Sequence, residues 1–514
     1  MKRKVKILDC TLRDGGYYTN WDFDKELVND YCACMEELPI EYIEIGYRSI
    51  SLEGYLGEYF YCPEYLMKEL KEKLISKKLC IILDEKNIRQ SDVKKLLTPC
   101  IPYISMVRMA VDPKNIERAI LLAREVKNMG FEVAFNLMYM SSWKNNNAFL
   151  EKLGDIDGVI DYFYMVDSFG GMLPKDIKET IQLVKSKTNT PLGFHGHNNL
   201  EAAFINTLTA IQEGCDIVDS TITGMGRGAG NLRTELLLTH FESQNLFKIK
   251  FGKLSNIVGE FEKLKKEYNW GTNLPYMFSG AFSLPQKQVM EWVGMNRYSI
   301  GNIINALNNQ KDSCEDNMKL PVLEKRERFE TAIILGGGKS AKKHRQAIMK
   351  LAESKEKICL IHAGARNINN YLELKGVDQF CALVGFETEK LLKIVDDVSQ
   401  FNHTYIYPPF PRAMGTLIPE EIKKRAKELE TIRFTEKSKD SPMALGFQIA
   451  LDLGVKKVFL AGFDGYDTSI SQTQFALAQE NQNIINDAVK GLEVISITPT
   501  KYKKLDTISI YSIV

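Results

Sequence analysis

The sequence repeats one unit from residue 5 to about residue 230: a short apolar run rich in β-forming residues, a polar loop and an amphipathic helical stretch. The runs are VKILDCTL, YIEIGY, LCIILD, YISMVRMAV, EVAFNLMYM, YFYMVDS, PLGFHGH and DIVDSTITG. Segments such as PKNIERAILLAREVKNMG, with apolar residues at helical spacing, separate most of them. Eight β-then-α units in this length predict a (β/α)8 TIM barrel of the α/β class. A doubly wound open sheet, which usually needs fewer strands, is the alternative.

The rest of the chain changes character twice. Residues 250–325 read as helices and end in a charged stretch, QKDSCEDNMKLPVLEKRERFE, that indicates a linker. At TAIILGGGKS a new pattern of strand, glycine-rich turn and helix begins, and further strands follow at KICLIH, QFCALVG, HTYIYP, KKVFLAGF and EVISIT. We therefore expect a barrel at residues 1–250, a helical extension and linker at 251–327, and a Rossmann-like α/β domain of the nucleotide-binding type at 328–514.

Composition and charge narrow the class of protein. Of the 514 residues, 44% are hydrophobic and 26% are charged, as in ordinary globular proteins. The 67 basic and 66 acidic residues give a net charge of +1, which favours neither nucleic acid nor an anionic membrane as a partner. No apolar run is long enough to span a membrane, the N-terminus lacks the apolar core of a signal peptide, and the ten scattered cysteines form no disulfide framework. We expect a cytoplasmic enzyme.

Polar side chains gather where the predicted barrel strands end. In this type of barrel the carboxyl ends of the strands meet at the catalytic face. The first run leads into Arg13 and Asp14, the sixth ends at Asp167, and the seventh carries His195 and His197. The other strand ends carry Glu44, Asp84, Arg108 and Asn136.

His195 and His197 carry the sharpest chemical argument. Residues two apart on a strand point to the same side, and Gly196 adds no side chain on the opposite face, so both imidazoles can reach one ion. A carboxylate from Asp14 would complete a group of two nitrogens and one oxygen, with room for a chelating substrate. This mixture suits a divalent metal; we expect Mn²⁺, although Mg²⁺, Co²⁺ or Zn²⁺ would also fit. Two solvent-facing or hydrogen-bonded histidines are the alternative.

Arg13 is the natural partner of such an ion. A 2-oxo acid chelated through its carboxylate and keto oxygens becomes acidic at the adjacent carbon, because the metal stabilises the enolate. A guanidinium beside that oxygen would share the developing charge. The glycine-rich segment GMGRGAGN, residues 224–231, would bring Asn231 near the metal. An ordinary ion pair of Arg13 with Asp14 or Asp167 is the alternative.

Three motifs in this order, TLRDGG, HGHNN and GRGAGN, resemble the DRE-TIM metallolyases. That family includes 4-hydroxy-2-oxovalerate aldolase, hydroxymethylglutaryl-CoA lyase and the isopropylmalate and homocitrate synthases. The resemblance covers about residues 5–300, and LDCTLRDGG and MVDSFGGMLP are most similar to the first of these branches. It implies a function for each residue of the set: metal ligands Asp14, His195 and His197 with Asn231 nearby, Arg13 as the enolate-stabilising residue and Asp167 as a supporting acid.

The chain also departs from this family. The aldolases place a histidine, used as general acid and base, just after the RDG motif, whereas here Gly16 is followed by Tyr17. Tyr17 is therefore a candidate for proton transfer, although a tyrosine with a pKa near 10 is a poor base unaided and simple packing is the alternative. Tyrosines that the aldolases carry after the barrel are replaced by Phe278 and Phe282. Residues 224–231 lack the cysteine that hydroxymethylglutaryl-CoA lyase activity needs.

The C-terminal part carries two further signals. AIILGGGKS places glycines at a strand-to-helix turn, where backbone N–H groups favour a phosphate, although it matches neither Walker A nor G-x-G-x-x-G. The segment DSPMALGFQIALDLGVKKVFLAGFDGYD resembles bacterial sialyltransferase-like and pterin-pyrophosphokinase-like Rossmann domains. That resemblance implies a nucleotide or nucleotide sugar near Gly337, Gly338, Ser340, Ser441 and Asp464. A domain that has lost its ligand is the alternative.

Together these observations predict a divalent-metal-dependent aldolase or lyase. It would make or break a carbon–carbon bond next to a 2-oxo acid, through a pyruvate-type enolate, with the fused domain indicating a sugar- or nucleotide-linked aldehyde. A Claisen-type acyl-CoA condensing enzyme and a transferase active only in the C-terminal domain are the alternatives. We expect a homo-oligomer with a small 2-oxo acid as substrate. A dehydrogenase partner is not expected, because the C-terminal part is unlike the domain with which the aldolase branch docks one.

Overall fold

The computed structural model of this protein describes residues 5–295, 297–313, 318–412, 414, 417–466 and 472–514. Contacts divide the chain into two compact units, Met1–Met290 and Glu291–Val514. Each unit contains one parallel sheet. The expected boundaries at residues 250 and 327 stay predictions. Within the described ranges, no helix combines the length and apolar character needed to cross a membrane.

The sheet of unit 1 is a closed parallel barrel with its eight strands in sequence order, which confirms the predicted (β/α)8 architecture. The strands are β1 (Lys6–Asp9), β2 (Tyr42–Tyr47), β3 (Lys78–Asp84), β4 (Ile104–Val111), β5 (Glu132–Leu137), β6 (Tyr162–Asp167), β7 (Leu192–Gly196) and β8 (Ile217–Ser220). The barrel closes where β1 pairs with β8, with Leu8 beside Asp219.

Helices follow the strands because each has one apolar stripe to bury. In the segment after β6, Pro174 starts a helix that buries Ile177, Ile181 and Val184, three or four residues apart. The helices that begin in unit 1 are α1 (Thr11–Thr19), α2 (Lys25–Glu37), α3 (Glu58–Tyr61), α4 (Glu64–Lys73), α5 (Gln90–Leu97), α6 (Ile116–Asn128), α7 (Met140–Trp143), α8 (Asn147–Leu150), α9 (Pro174–Lys185), α10 (Ala203–Gln212), α11 (Thr234–Ser243), α12 (Phe251–Tyr268), α13 (Leu274–Ala281) and α14 (Gln286–Met295).

The interior of the barrel is filled in layers that follow the alternation of each strand. One buried cluster contains Tyr42, Met106 and Ile217 from three different strands. Two residues further along these strands lie Glu44, Arg108 and Asp219, which are also fully buried but charged. Residues two apart on a strand share a face, so an apolar layer closes the barrel below a charged layer at its carboxyl end.

The sequence predicted that Arg13 and Asp14 lie at the end of the first strand. In the structure they lie in a helix instead. β1 stops at Asp9, whose side chain accepts a hydrogen bond from the Thr11 N–H at 2.9 Å, and α1 then carries Arg13 and Asp14. Glycine disfavours helices, but a side chain at Gly16 would place its Cβ 2.1 Å from Trp21. Close packing therefore requires glycine inside this helix.

Unit 2 contains an eight-stranded parallel sheet with the order β13-β12-β11-β10-β9-β14-β15-β16. Its strands are β9 (Thr331–Leu335), β10 (Ile358–Ala363), β11 (Asp378–Ala382), β12 (Thr404–Tyr407), β13 (Ala426–Glu428), β14 (Lys457–Ala461), β15 (Glu493–Ser496) and β16 (Asp506–Thr507). The sequence did not predict β13 and β16, which have only three and two residues. The order reverses at β9, which pairs with β10 on one side and β14 on the other.

Helices cover both faces of this sheet, as expected for a Rossmann-like α/β domain. Along β9, Ile334 belongs to a buried cluster that contains residues of the helix Pro442–Asp452. The neighbouring Ile333 belongs to a second buried cluster, on the opposite face of the sheet. The helices are α15 (Ile300–Asp312), α16 (Lys339–Lys343), α17 (Arg345–Ser354), α18 (Glu387–Ile394), α19 (Glu420–Lys423), α20 (Pro442–Asp452) and α21 (Gln472–Ala488).

Candidate active site

The barrel brings Asp14, His195 and His197 together at its carboxyl end. One ligand atom from each lies within 4.8 Å of the others. Asp14 comes from α1, while His195 and His197 come from the end of β7 and the residue just beyond it. The His195 Nε2 atom lies 3.8 Å from the nearer Asp14 carboxylate oxygen. The three residues thus surround one small space.

Each histidine is oriented through its other ring nitrogen. Nδ1 of His195 lies 2.8 Å from the Asp219 carboxylate, and Nδ1 of His197 lies 2.8 Å from the backbone carbonyl of Asp167. An acceptor at Nδ1 selects the tautomer that carries its proton there and leaves a lone pair on Nε2. Both rings are therefore prepared to bind a cation through Nε2.

The charge states of these groups also suit a metal. Burial, with a contribution from His195, lowers the pKa of His197 to about 4, so its imidazole is neutral at pH 7. Burial favours a raised pKa for Asp14, but the charge of Arg13 and the interactions with the two histidines outweigh it and lower the pKa. The group accordingly offers one carboxylate and neutral imidazole, the forms in which these side chains bind metals.

Asn231 completes the group. Its Nδ2 donates to the Asp14 carboxylate, while its Oδ1 is buried and has no hydrogen-bond partner in the described chain. Gly226 lies against the same atoms, since a Cβ there would approach Asn231 Nδ2 to 2.3 Å and Asp14 Oδ2 to 3.1 Å. An unpartnered buried oxygen next to a carboxylate and two imidazole lone pairs fits a divalent cation.

A second group, Cys10 with His195 and Asp219, has similar spacing but different chemistry. Burial raises the pKa of the Cys10 thiol well above its usual value, and the thiol donates toward the Ser220 carbonyl at 3.6 Å. Metals bind the thiolate and not the thiol. Asp14, His195 and His197 are therefore the better metal group.

Arg13 is held by two carboxylates beside this group. Its Nε donates to Glu44 at 2.7 Å and its Nη1 to Asp14 at 2.6 Å. Burial opposes the charge of Arg13, but Asp14 and Glu44 keep its pKa well above the usual value. Two bonds of this kind fix the plane of the guanidinium, and its remaining N–H groups have no partner in the described chain.

Arg108 joins the arginine and histidine sides of the site. It donates to Glu44 at 3.1 Å, to Asp219 at 2.5 Å and to the Asn136 side chain at 2.9 Å. One buried network thus runs from Arg13 to His195. Sequence reasoning placed Arg108 and Glu44 at strand ends without a function and missed Asp219, whose signal was its inward-facing position on β8.

Asp167 and Tyr17 lie on different sides of the site. The Asp167 carboxylate accepts from the Met172 N–H at 3.2 Å, and burial raises its pKa to about 6, partly opposed by neighbouring backbone N–H groups. Its backbone, and not its carboxylate, contacts His197. Tyr17 lies one turn after Arg13 on α1, with its hydroxyl 3.2 Å from that of Tyr47.

A tyrosine after the barrel does reach the site. Phe278 on α13 packs against Phe282, the residue just after this helix, with ring centroids 4.6 Å apart. Two residues before Phe278, Tyr276 is buried, hydrogen bonds with Tyr18 and lies against Gly228 of the glycine-rich loop. Sequence reasoning missed Tyr276 because it compared only the positions of the two phenylalanines.

In unit 2 the structure brings together Gly338, Ser340 and Asp464. The Asp464 carboxylate accepts from the Ser340 backbone N–H at 3.0 Å and from its hydroxyl. A Cβ at Gly338 would also meet Asp464 at 2.6 Å, whereas Gly337 faces Arg366. Ser441 lies apart in the chain, at the residue preceding α20.

Fold and site together define a class of protein, a (β/α)8-barrel enzyme with a carboxylate, two histidines and an arginine at the carboxyl ends of its strands. The family model described as HMGL-like matches residues 99–258. The 4-hydroxy-2-oxovalerate aldolase of Bacillus cereus is 31% identical over 253 residues, which are 46% of this chain and 69% of that protein. The aldolase of the same name from Carboxydothermus hydrogenoformans is 32% identical over 243 residues, or 46% of this chain and 70% of that one.

Solved structures agree with these sequence matches. The crystal structure of the N-terminal domain of a putative aldolase from Bacteroides vulgatus is 52% identical, with a TM-score of 0.56, and covers 59% of this chain and 100% of its own. The carboxyl transferase domain of Rhizobium etli pyruvate carboxylase, crystallised with pyruvate, shares the fold at 14% identity and a TM-score of 0.50, over 61% of this chain and 57% of its own. The chain belongs to the 4-hydroxy-2-oxovalerate aldolase family of DRE-TIM, HMGL-like enzymes, and it is a carbon–carbon lyase.

Proposed function

We propose that the barrel is a divalent-metal-dependent aldolase that makes or breaks a carbon–carbon bond next to a 2-oxo acid, through a pyruvate-type enolate. The observation that carries this proposal is the juxtaposition of Arg13 with the group Asp14, His195 and His197, whose ligand atoms lie within 4.8 Å of one another. Belonging to the aldolase family supports the same chemistry.

Asp14, His195 and His197 would hold the metal, with Asn231 Oδ1 as a further ligand, and we expect Mn²⁺. When bound, the metal would supply positive charge that polarises the keto group of the 2-oxo acid. Asp219 and the Asp167 carbonyl keep Nε2 of the two histidines directed at that space.

Arg13 would stabilise the enolate oxygen. Glu44 and Asp14 hold its guanidinium in one plane, so its free N–H groups are already oriented before substrate arrives. Hydrogen-bond donors that are already oriented need no reorganisation as negative charge develops in the transition state, and they are the main source of electrostatic catalysis. The buried carboxylates also ensure that this guanidinium stays charged.

Tyr17 or a water beside it would move the proton at the aldehyde oxygen. Tyr17 follows Arg13 by one helical turn, so both side chains share a face of α1. One oxygen of the Asp167 carboxylate accepts a hydrogen bond from the Met172 N–H instead. Asp167 would support His197 through its backbone carbonyl.

Deuterium exchange into the methyl group of pyruvate tests the proposed function. In D2O with Mn²⁺, the full chain should exchange these protons, and a chelator should stop the exchange. His195→Ala should abolish it, whereas His240→Ala, a histidine on α11 that packs against Phe204, serves as the matched control. Absence of exchange with pyruvate and other short 2-oxo acids would refute the proposal, and release of free thiol from acetyl-CoA would then favour a Claisen-type enzyme.

For unit 2 we propose binding of a nucleotide or nucleotide sugar, which would make the aldehyde of the barrel a sugar- or nucleotide-linked compound. The observation in favour is the reversal of strand order at β9, because ligands of open parallel sheets bind outside the carboxyl ends of the strands at such a point. Gly337, Gly338, Ser340 and Asp464 follow β9 and β14 there, and Ser441 precedes α20.

Calorimetric titration of the full chain with cytidine and uridine nucleotides tests this second proposal. Because the Asp464 carboxylate already occupies the Ser340 N–H, a bound phosphate would have to displace it, and Asp464→Asn should strengthen the binding of a phosphate. No heat with any nucleotide, for either protein, would refute nucleotide binding.

A further inference from the structure

Arg227 lies next to the proposed metal group but has no function in the proposed aldolase chemistry. It follows Gly226, whose backbone is so close to the group that a Cβ there would lie 3.1 Å from Asp14 Oδ2. Its neighbour on the other side is Gly228, against which Tyr276 packs. Arg227 therefore lies at the mouth of the barrel, in the loop that closes one side of the site.

The loop that carries Arg227 is firmly held. The Gly228 carbonyl accepts from the Tyr18 hydroxyl at 3.1 Å, and the Gly230 carbonyl accepts from the Asn198 N–H at 2.8 Å. Gly228 and Gly230 have φ values of 63° and 78°, which other residues rarely adopt. The backbone at residue 227 is consequently fixed relative to the metal group, and only its side chain can adjust.

The guanidinium of Arg227 points into the site entrance. It lies 5.8 Å from the centroid of the Tyr17 ring, and its charge acts on both His197 and Tyr276. The side chain is half-buried, yet within the part of the chain that the structure describes no carboxylate lies within ion-pair distance of it. A positive charge held without a partner beside a substrate site is suited to bind an anion.

Three other cations at this end of the barrel already have partners. Arg13 contacts Asp14 and Glu44, and Arg108 contacts Glu44 and Asp219. The largely exposed Lys86 lies 2.9 Å from Asp84. Arg227 differs from these three cations in having no carboxylate partner among the described residues.

We propose that Arg227 selects an aldehyde that carries an anionic group, a phosphate or a carboxylate, and this inference rests on the proposed aldolase function. The metal group and Arg13 account for the carboxylate and keto oxygens of the 2-oxo acid, which leaves no part of that substrate for Arg227 to bind. Arg227 lies instead over Tyr17, the proposed proton carrier at the aldehyde oxygen. An anion on its guanidinium would thus be the far end of the aldehyde, and its planar fork fits phosphate and carboxylate alike.

Paired aldehydes test this specificity. Condensation with pyruvate in the presence of Mn²⁺ would be measured for glyceraldehyde 3-phosphate against glyceraldehyde, and for succinic semialdehyde against butanal. In the unmodified protein, kcat/KM should favour the anionic member of at least one pair by about 10- to 100-fold, the effect of a charge-assisted hydrogen bond. Preference within the first or the second pair identifies phosphate or carboxylate, respectively.

Variants assign the preference to Arg227. R227Q should reduce the ratio to near one, R227K should retain part of it, and K86Q, which removes a cation that already has a partner, should keep it. Because each ratio compares two substrates of the same variant, a general loss of activity does not affect it. Calorimetric binding of glycerol 3-phosphate, an unreactive probe, to the protein loaded with Mn²⁺ and pyruvate should weaken at least about tenfold in R227Q.

The outcomes separate this inference from the aldolase proposal. Failure of the unmodified protein to exchange the methyl protons of pyruvate would refute the aldolase function itself. Exchange combined with a ratio near one in both pairs, or with a ratio that R227Q leaves unchanged, would overturn only the specificity assigned to Arg227. A raised KM for pyruvate in R227Q at an unchanged ratio would also overturn it, because the arginine would then bind the 2-oxo acid. If no aldehyde reacts, absence of Arg227-dependent binding of glycerol 3-phosphate overturns it as well.

Discussion

The orientation of His195 depends on a residue outside the proposed metal group. The Asp219 carboxylate contacts both His195 Nδ1 and Arg108, at 2.8 Å and 2.5 Å. Burial favours a raised pKa for Asp219, but the charge of Arg108 and the hydrogen bond from His195 outweigh it and the pKa is lowered. An ionised partner of this kind holds the imidazole in one tautomer and increases its basicity as a ligand.

Asp219→Asn should therefore weaken metal binding. The asparagine removes the charge that orients His195 and leaves Arg108 with Glu44 as its single carboxylate partner, so we expect the affinity for Mn²⁺ to fall about 10- to 100-fold. Calorimetric titration of the metal-free protein with Mn²⁺ measures this affinity. Asp216→Asn, one residue before the start of the same strand, is the matched control. An unchanged affinity in the Asp219 variant would show that this carboxylate has no influence on the metal site.

Sequence reasoning brought together Asp14, His195, His197 and Asn231 because strand ends of a barrel converge whatever the loops between them do. It did not find the contact between Asp219 and His195, which lie 24 residues apart on neighbouring strands. Such a contact depends on register, and parallel strands buried on both faces read as continuous apolar runs that do not specify their register. The same limit applies to the hydrogen bond between Tyr18 on α1 and Tyr276 on α13, two helices far apart in the sequence of unit 1.

Among the elements, β10 and the start of β12 bury two histidines that the proposed chemistry does not use. His362 lies 2.9 Å from the Gln379 side chain, and its ring centroid is 6.0 Å from that of His403. Tyr371 also faces His362, and His403 lies between Phe401, Tyr405 and the charge of Arg425. No carboxylate is among these neighbours, and the hydrogen bond from His362 to the Gln379 side-chain oxygen favours a protonated imidazole less than burial opposes it.

The stability of unit 2 should consequently fall in mild acid. Burial lowers the pKa of His362 to about 4 and that of His403 to about 3, whereas in the unfolded chain both titrate near 6.5. Below about pH 6.5 the unfolded chain therefore binds protons that the folded one does not. Above that pH the two histidines cost the folded unit no stability. As the pH falls toward 4, the free energy of unfolding decreases by about 1.4 kcal/mol per pH unit for each histidine.

Unfolding followed from pH 7 to pH 4.5 measures this slope. His403→Phe keeps an aromatic ring stacked on Phe401 and removes one titrating group, so its slope should be smaller by the contribution of one histidine. His344→Phe, at a half-buried histidine of the same unit that contacts Tyr511, is the control and should leave the slope unchanged. Equal slopes for the protein and the His403 variant would contradict the burial argument.

For the whole molecule, periodicity predicted the number of barrel strands and both kinds of sheet, because the strands that it found are largely apolar and have four to eight residues. It did not predict β13 and β16, which are too short to show alternation and lie at the two edges of their sheet. Nor did it predict that β14 pairs with β9, since Lys457 meets Thr331 across more than a hundred intervening residues. Pairing over such distances is decided by helix packing on both faces, which local sequence does not encode.

A ligand that binds only the folded protein must also stabilise it, and the proposed metal group allows this to be measured without turnover. Asp14, His195 and His197 come from two segments about 180 residues apart, so the unfolded chain offers the metal no comparable site. Mn²⁺ at about 100 times its dissociation constant should raise the free energy of unfolding by about 2.7 kcal/mol. Calorimetry should record this as an upward shift of the unfolding midpoint of the metal-free protein.

Asp14→Asn separates metal binding at this group from binding elsewhere. The variant removes the carboxylate ligand and should lose most of the shift, whereas Asp161→Asn, at the amino end of β6 where Asp161 pairs with Lys127, should keep it even if the variant is less stable overall. Two results would contradict the assignment of the metal ligands: no shift in the unmodified protein, or an equal shift in Asp14→Asn. The first would mean that the group does not bind Mn²⁺, and the second that the metal binds at other residues.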